Sequence, residues 1–162
     1  NYEDFREAEE KSPVRMYGPE GHFISLVLKA PINLAKESLN KLKKEDFLNG
    51  NIAEIFSHLQ TYVKDRKRDI NIKTFLEGLN ENLKGIASEL YMWDFTQQTE
   101  DEERRKLLGK GLNELTDRIK KDSVRRQLQI ISGDIKMAET KKDTKEVERL
   151  TKKFEKLSKS LI

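Results

Sequence analysis

The residues able to do chemistry are few and scattered. The two histidines, His22 and His58, stand 36 positions apart, and neither has a ligand companion at i+3 or i+4. A transition-metal site needs several such donors converging on one point, so both are expected in surface or boundary roles. Asp65 and Asp69 are expected to share a helix face. Lys64, Arg66, Lys67 and Arg68 lie among them, so a salt-bridged surface is favoured over a metal site. The segment Gly18-Pro19-Glu20-Gly21 lacks the lysine and the preceding strand of a phosphate-binding loop. With no cysteine there is no thiolate ligand, disulfide or cysteine nucleophile. Carboxylates are numerous, but no apolar setting marks a pair for acid–base work. The expectation is a chain with no catalytic residue, no metal and no cofactor.

Composition points to helices that carry something other than catalysis. Of 162 residues, 38% are charged and only 35% hydrophobic, with 8 glycines and 3 prolines. Scarce turn residues beside abundant lysine, glutamate and leucine favour long helices over a many-turned β fold. No apolar run approaches the roughly 18–20 residues that span a bilayer, and no signal-peptide pattern opens the chain. The first residue is Asn1 rather than Met, so a piece of a longer cytoplasmic protein is expected. Residues 1–100 carry 14 basic and 17 acidic side chains, whereas residues 101–162 carry 18 and 12. A basic C-terminal part suits an acidic partner or nucleic acid, and equally a solvated, ion-paired helix surface.

Apolar spacing sets the elements. Residues 1–21 read as a linker, with a short helix near Tyr2–Lys11 stopped by Pro13. Phe23, Leu26, Val27 and Ala30 then fall on one helical face, preferred over a buried strand, and Pro31 forces a break. One or two short helices follow over 32–49. Asn51 with Glu54 forms a capping-box pattern before Ile52, Ile55, Phe56, Leu59 and Val63, and that helix should end near Lys64–Arg68. Asn71 or Thr74 can start a short helix with Phe75, Leu76 and Leu79. Leu83, Ile86, Ala87, Leu90 and Tyr91 make another stripe. Thr99 with Glu102 is a second capping box, before Leu108, Leu112, Leu115 and Ile119.

The C-terminal stretch is the most informative. Val124, Leu128, Ile131, Ile135 and Ala138 keep a 4, 3, 4, 3 rhythm, but the step from Ile119 to Val124 is five. That step predicts a kink, hinge or break at Lys121, Asp122 and Ser123, either of the last two able to cap a new helix. Asp143 with Glu146 is a third capping box. Val147, Leu150, Phe154, Leu157 and Leu161 then follow the rhythm of helices sharing a seam, which predicts a helical hairpin over 124–162. Two short helices bury only one narrow seam, and short helices are marginal without tertiary support. Ile130, Met137 and Ile162 lie off that seam. A hairpin folded back into one bundle would cover them, and so would a partner protein. A short coiled-coil oligomer is a third, weaker reading of the same rhythm.

The order of these features resembles the C-terminal helicase-binding domain of the bacterial replicative DNA primase (the DnaG type), over residues 20–162. The resemblance is carried by Phe-Ile-Ser-Leu-Val-Leu-Lys-Ala-Pro at 23–31 and by Glu45-Asp46-Phe47 before Ile55-Phe56-Ser57-His58-Leu59. Ile72–Leu79 and Leu90-Tyr91-Met92-Trp93-Asp94 follow. Ala138-Glu139-Thr140 precedes a turn, with Leu150, Phe154 and Leu157 after it. The resemblance implies an all-α domain. Residues 1–21 would be the linker from an upstream polymerase core, 22–121 a bundle of about five or six helices, and 122–162 a terminal hairpin. It also implies that the zinc-binding and RNA-synthesising parts lie upstream and that this chain is not itself an enzyme.

The implied partner is the N-terminal domain of the hexameric replicative helicase, met by a domain that is monomeric alone. The implied docking residues are Ile130, Met137, Phe154, Leu157, Leu161 and Ile162, with Lys153 and Lys156 at the rim. Phe154 and Leu157 can equally be seam residues that hold the hairpin together. Met137 is the better probe, because an adaptable thioether suits an interface. Direct nucleic-acid binding is the alternative, and it is disfavoured because the basic clusters have few aromatics among them.

Overall fold

The computed structural model describes residues 13–93 and 101–162. Among them the chain is all-α, with no strand. The α-helices are α1 (Pro13–Lys29), α2 (Ile32–Asn40), α3 (Gly50–Val63), α4 (Ile72–Glu77), α5 (Glu81–Met92), α6 (Asp101–Thr140) and α7 (Thr144–Ser158). One 3₁₀ turn, Lys44–Asp46, precedes α3 and another, Lys159–Leu161, follows α7. The chain divides into two units, Asn1–Ile119 and Lys120–Ile162.

The first unit is built around α1. Its apolar stripe Phe23, Leu26, Val27 and Ala30 is buried, as are Ile24 and Leu28, which widen it. α1 packs on α2, α3 and α5, and α3 also packs on α2 and α5. Phe23, Phe47 and Phe56 form an aromatic group, with the Phe47 and Phe56 centroids 4.5 Å apart and those of Phe23 and Phe47 6.0 Å apart. Leu108, Leu112, Leu115 and Ile119 of α6 join the same core. The buried Ser25 hydroxyl donates to the Leu90 carbonyl at 2.7 Å, which ties α1 to the last turn of α5.

Helix starts follow side-chain caps. Asn49, Asn71 and Asn80 each accept from the backbone N–H three residues on, at 3.1, 3.1 and 2.9 Å, satisfying a donor that the first turn leaves orphaned. α3 therefore starts from Asn49, two residues before the capping pattern expected at Asn51. Of the two expected starts for α4, Asn71 is the cap. Thr99 and the helix expected at Tyr2–Lys11 lie outside the described residues.

Three further expectations are corrected. The segment 13–21 is helical rather than linker. Pro13 opens α1, where a missing N–H costs nothing. Gly18 (φ 62°, ψ −150°) kinks the helix; the left-handed region suits glycine, and the following Pro19 disfavours an α conformation there. Glu20 accepts from the Leu48 and Asn49 N–H groups at 3.1 and 3.0 Å, anchoring the start of α3.

Asp65 and Asp69 share no helix face, because α3 ends at Val63. Asp69 instead accepts from the Ile32 N–H at 2.8 Å, at the start of a helix whose capping position, Pro31, offers no side-chain acceptor.

No helix begins at Asp122 or Ser123. α6 runs unbroken through Lys121, Asp122 and Ser123 to Thr140. A five-residue step moves an apolar stripe round the axis of a 3.6-residue helix without interrupting its hydrogen bonds. The altered rhythm therefore marks no break in the helix, and the division between the two units falls beside it, after Ile119. Ser123 is itself buried, at 2% exposure.

Candidate partner-binding surface on the C-terminal hairpin

The second unit is a two-helix hairpin, made by the C-terminal part of α6 and by α7. Its turn is closed by backbone geometry. The Lys142 N–H donates to Glu139 O and the Asp143 N–H to Ala138 O, both at 3.0 Å, the paired bonds of a Schellman cap. This places Lys142 at φ 56°, a left-handed position where glycine is the usual residue. Asp143 then caps α7, its carboxylate accepting from the Glu146 N–H at 3.1 Å. One residue thus serves both the end of α6 and the start of α7. The Glu146 side chain turns to Arg149, accepting from its Nε at 2.9 Å. That bond holds the Glu146 carboxyl below its ordinary value.

The seam is thin. Ile131, Ala138 and Leu150 are buried, with Ile135, Val147, Phe154 and Leu157 half-buried against them. Phe154 and Leu157, implied as docking residues, therefore hold the two helices together. Leu161 is half-buried in the terminal 3₁₀ turn. Lys153 and Lys156 are exposed. Ile130 and Met137 stay 64% and 59% exposed, and Ile162 is fully exposed. The eight expected residues thus separate into seam residues and an outward set, and Ile130 and Met137 are its apolar members within α6.

A feature that sequence reasoning missed lies beside Met137. Asp134, Met137, Lys141, Asp143, Glu146 and Arg149 line a shallow groove of about 260 Å³, floored by Ala138 and Leu150. Its signal was present in the spacing. Asp134, Met137 and Lys141 share one face of α6, and Glu146 and Arg149 share one face of α7. The basic excess belongs to the unit as a whole rather than to the groove. Residues 120–162 carry 13 basic and 7 acidic side chains, against 19 and 22 in residues 1–119.

In the first unit, Arg66 and Tyr62 have structural roles. Arg66 lies 4.8 Å above the Tyr62 ring, and its Nε donates to the Arg68 and Asp69 carbonyls at 3.1 Å. The Tyr62 hydroxyl bonds both the N–H and the carbonyl of Asn71. His58 is exposed on α3 and borders an open groove against α4. His22 is half-buried; that burial, and secondarily the Lys29 charge, lower its pKa. Among the described residues no group of histidines and carboxylates could hold a metal ion, and no helix is long and apolar enough to cross a membrane.

Comparison with family models, with curated proteins and with solved structures gives no match to this chain. The fold and the surface define on their own terms an all-α bundle ending in a helical hairpin. On the surface of that hairpin Ile130 and Met137 are exposed apolar residues set among charged ones.

Proposed function

We propose that this chain is a non-catalytic interaction module, the helicase-binding domain of a bacterial replicative DNA primase. It docks through its C-terminal hairpin onto the N-terminal domains of the hexameric replicative helicase. In doing so it couples primer synthesis to fork unwinding, in the cytoplasm. The observation that carries this reading is the hairpin's division of labour: Phe154 and Leu157 are used up in the seam, while Ile130 and Met137 remain open. An apolar helix face rimmed by charge is a common recognition surface, and the net +6 of residues 120–162 would steer association with an acidic partner. Calorimetry with the helicase's N-terminal domain should detect a complex with the full chain, and none after removal of residues 122–162. Full affinity in the truncated chain would overturn the assignment.

The same basic excess motivates nucleic-acid binding as the second reading. It predicts single- or double-stranded DNA binding at low salt that weakens steeply as salt rises. Against it, Arg66 in the other basic cluster is tied to Tyr62 and to backbone carbonyls. No binding at low salt dismisses it.

A further inference from the structure

Gly133 is the least explained residue of the hairpin. It sits in the interior of α6 and is exposed, where glycine is disfavoured relative to alanine. Its φ is not left-handed, and a Cβ built on it would meet nothing within 4 Å. Neither backbone conformation nor packing inside the chain therefore requires glycine there. Its neighbours on the helix surface, three residues back and four ahead, are Ile130 and Met137. An exposed apolar residue, a bare stretch of backbone and a second exposed apolar residue thus follow one another over two turns, about 10 Å.

The groove beside this face holds both signs of charge, Asp134, Asp143 and Glu146 with Lys141 and Arg149, and exposed lysines lie beyond it. Lys141 continues the face beyond Met137 and lines the groove together with Arg149. Lys153 and Lys156 stand four and seven residues after Arg149, on the same side of α7, and both are exposed. Asp134 is the acidic residue within the stripe.

From this juxtaposition we propose that the Ile130–Gly133–Met137 face receives an amphipathic α-helix of the partner protein, apolar along its contact line and acidic on its flanks, that packs close against the backbone at Gly133. A helix is the occupant because a straight two-turn apolar line with a bare centre lets a second helix axis approach closely. Acidic residues on its flank complement Lys141, Lys153 and Lys156. Gly133 is then a specificity-determining position that admits the partner's backbone. This rests on the reading of the hairpin as the docking element and adds its face and the chemistry of its occupant.

The test uses the full chain and two probes. Gly133→Leu is compared with wild type and with Gly85→Leu. Gly85 is another exposed helical glycine with open space around it, on α5. Thermal melting should show that neither substitution lowers stability. Against the helicase N-terminal domain, Gly133→Leu should weaken binding at least tenfold and Gly85→Leu should not. The second probe is a synthetic amphipathic helix with leucines along one face and glutamates elsewhere. It should shift the methyl signals of Ile130 and Met137 in NMR spectra of the wild type, less so at high salt, and leave those of Gly133→Leu unmoved. Wild-type helicase affinity in Gly133→Leu overturns the proposal, even where removal of 122–162 still abolishes binding. Absence of any helicase complex overturns the primase reading instead. The synthetic helix then decides the face, and shifts confined to other residues reject it.

Discussion

The two units use the same helical vocabulary for opposite ends. In the first, α1 is buried from Phe23 to Leu28, and five helices and the start of α6 close around Phe23, Phe47 and Phe56. In the second, α7 buries a single residue, Leu150. Its other apolar side chains, Val147, Phe154 and Leu157, are only partly buried against the facing helix. A unit with a deep core can be stable on its own account. A thin hairpin keeps little apolar surface in reserve, so apolar side chains left outside its seam stand out. That contrast makes Ile130 and Met137 informative, whereas an isolated exposed leucine such as Leu48 on the first unit is ordinary.

The largest expected effect attacks the deep core. Phe56→Ala removes a fully buried ring in contact with Phe47 and should cost about 3–5 kcal/mol, read as a lowered midpoint in urea. Leu150→Ala should cost less, about 2 kcal/mol, and its effect should be local. Hydrogen exchange should accelerate in α7 and in the C-terminal part of α6, while amides of α1 and α3 keep their protection. Equal acceleration in both units would erase the distinction drawn between them.

The turn gives two smaller effects of opposite sign. Asp143→Ala removes the cap of α7 and should destabilise the hairpin by about 1 kcal/mol. Lys142→Gly relieves a left-handed backbone and should stabilise it by up to about 1 kcal/mol, seen as slower exchange near Thr144.

The pH response should differ least but is specific in sign. His22 has a lowered pKa in the folded chain, through burial first and Lys29 second. As pH falls below about 6.5, the unfolded chain takes up this proton before the folded one does. Stability of the first unit therefore declines with falling pH through that window, and His22→Gln should flatten the decline. In the hairpin, Glu146 is lowered by its Arg149 bond. Its contribution is present above the usual glutamate range and fades only in acid, as pH drops through the folded value.

Much of this was legible because periodicity and caps report local physics. Phe23, Leu26, Val27 and Ala30 announced a buried helix face, and Asp143 announced the start of α7. What failed was punctuation read out of context. Pro13 reads as a stop from behind and as a first helical residue from ahead. Asn49 and Asn51 are both plausible caps, and only the anchored chain around Glu20 selects the first. The five-residue step at Ile119–Val124 carries no information on whether the backbone or the buried face changes. The candidate surface was half legible. Met137 and Ile130 stand off the seam in the sequence itself, whereas the seam role of Phe154 and Leu157 required the partner helix in place. The significance of Gly133 depended on knowing that no neighbouring atom explains it.

The central claim is that the hairpin's outward face, rather than its seam, carries partner binding. It is tested most directly by Met137→Glu in the full chain, titrated calorimetrically with the N-terminal domain of the replicative helicase. Met137 is exposed and outside the seam cluster, so the melting temperature should stay within a degree or two while affinity falls at least tenfold. Undiminished affinity in a folded Met137→Glu protein would contradict the account.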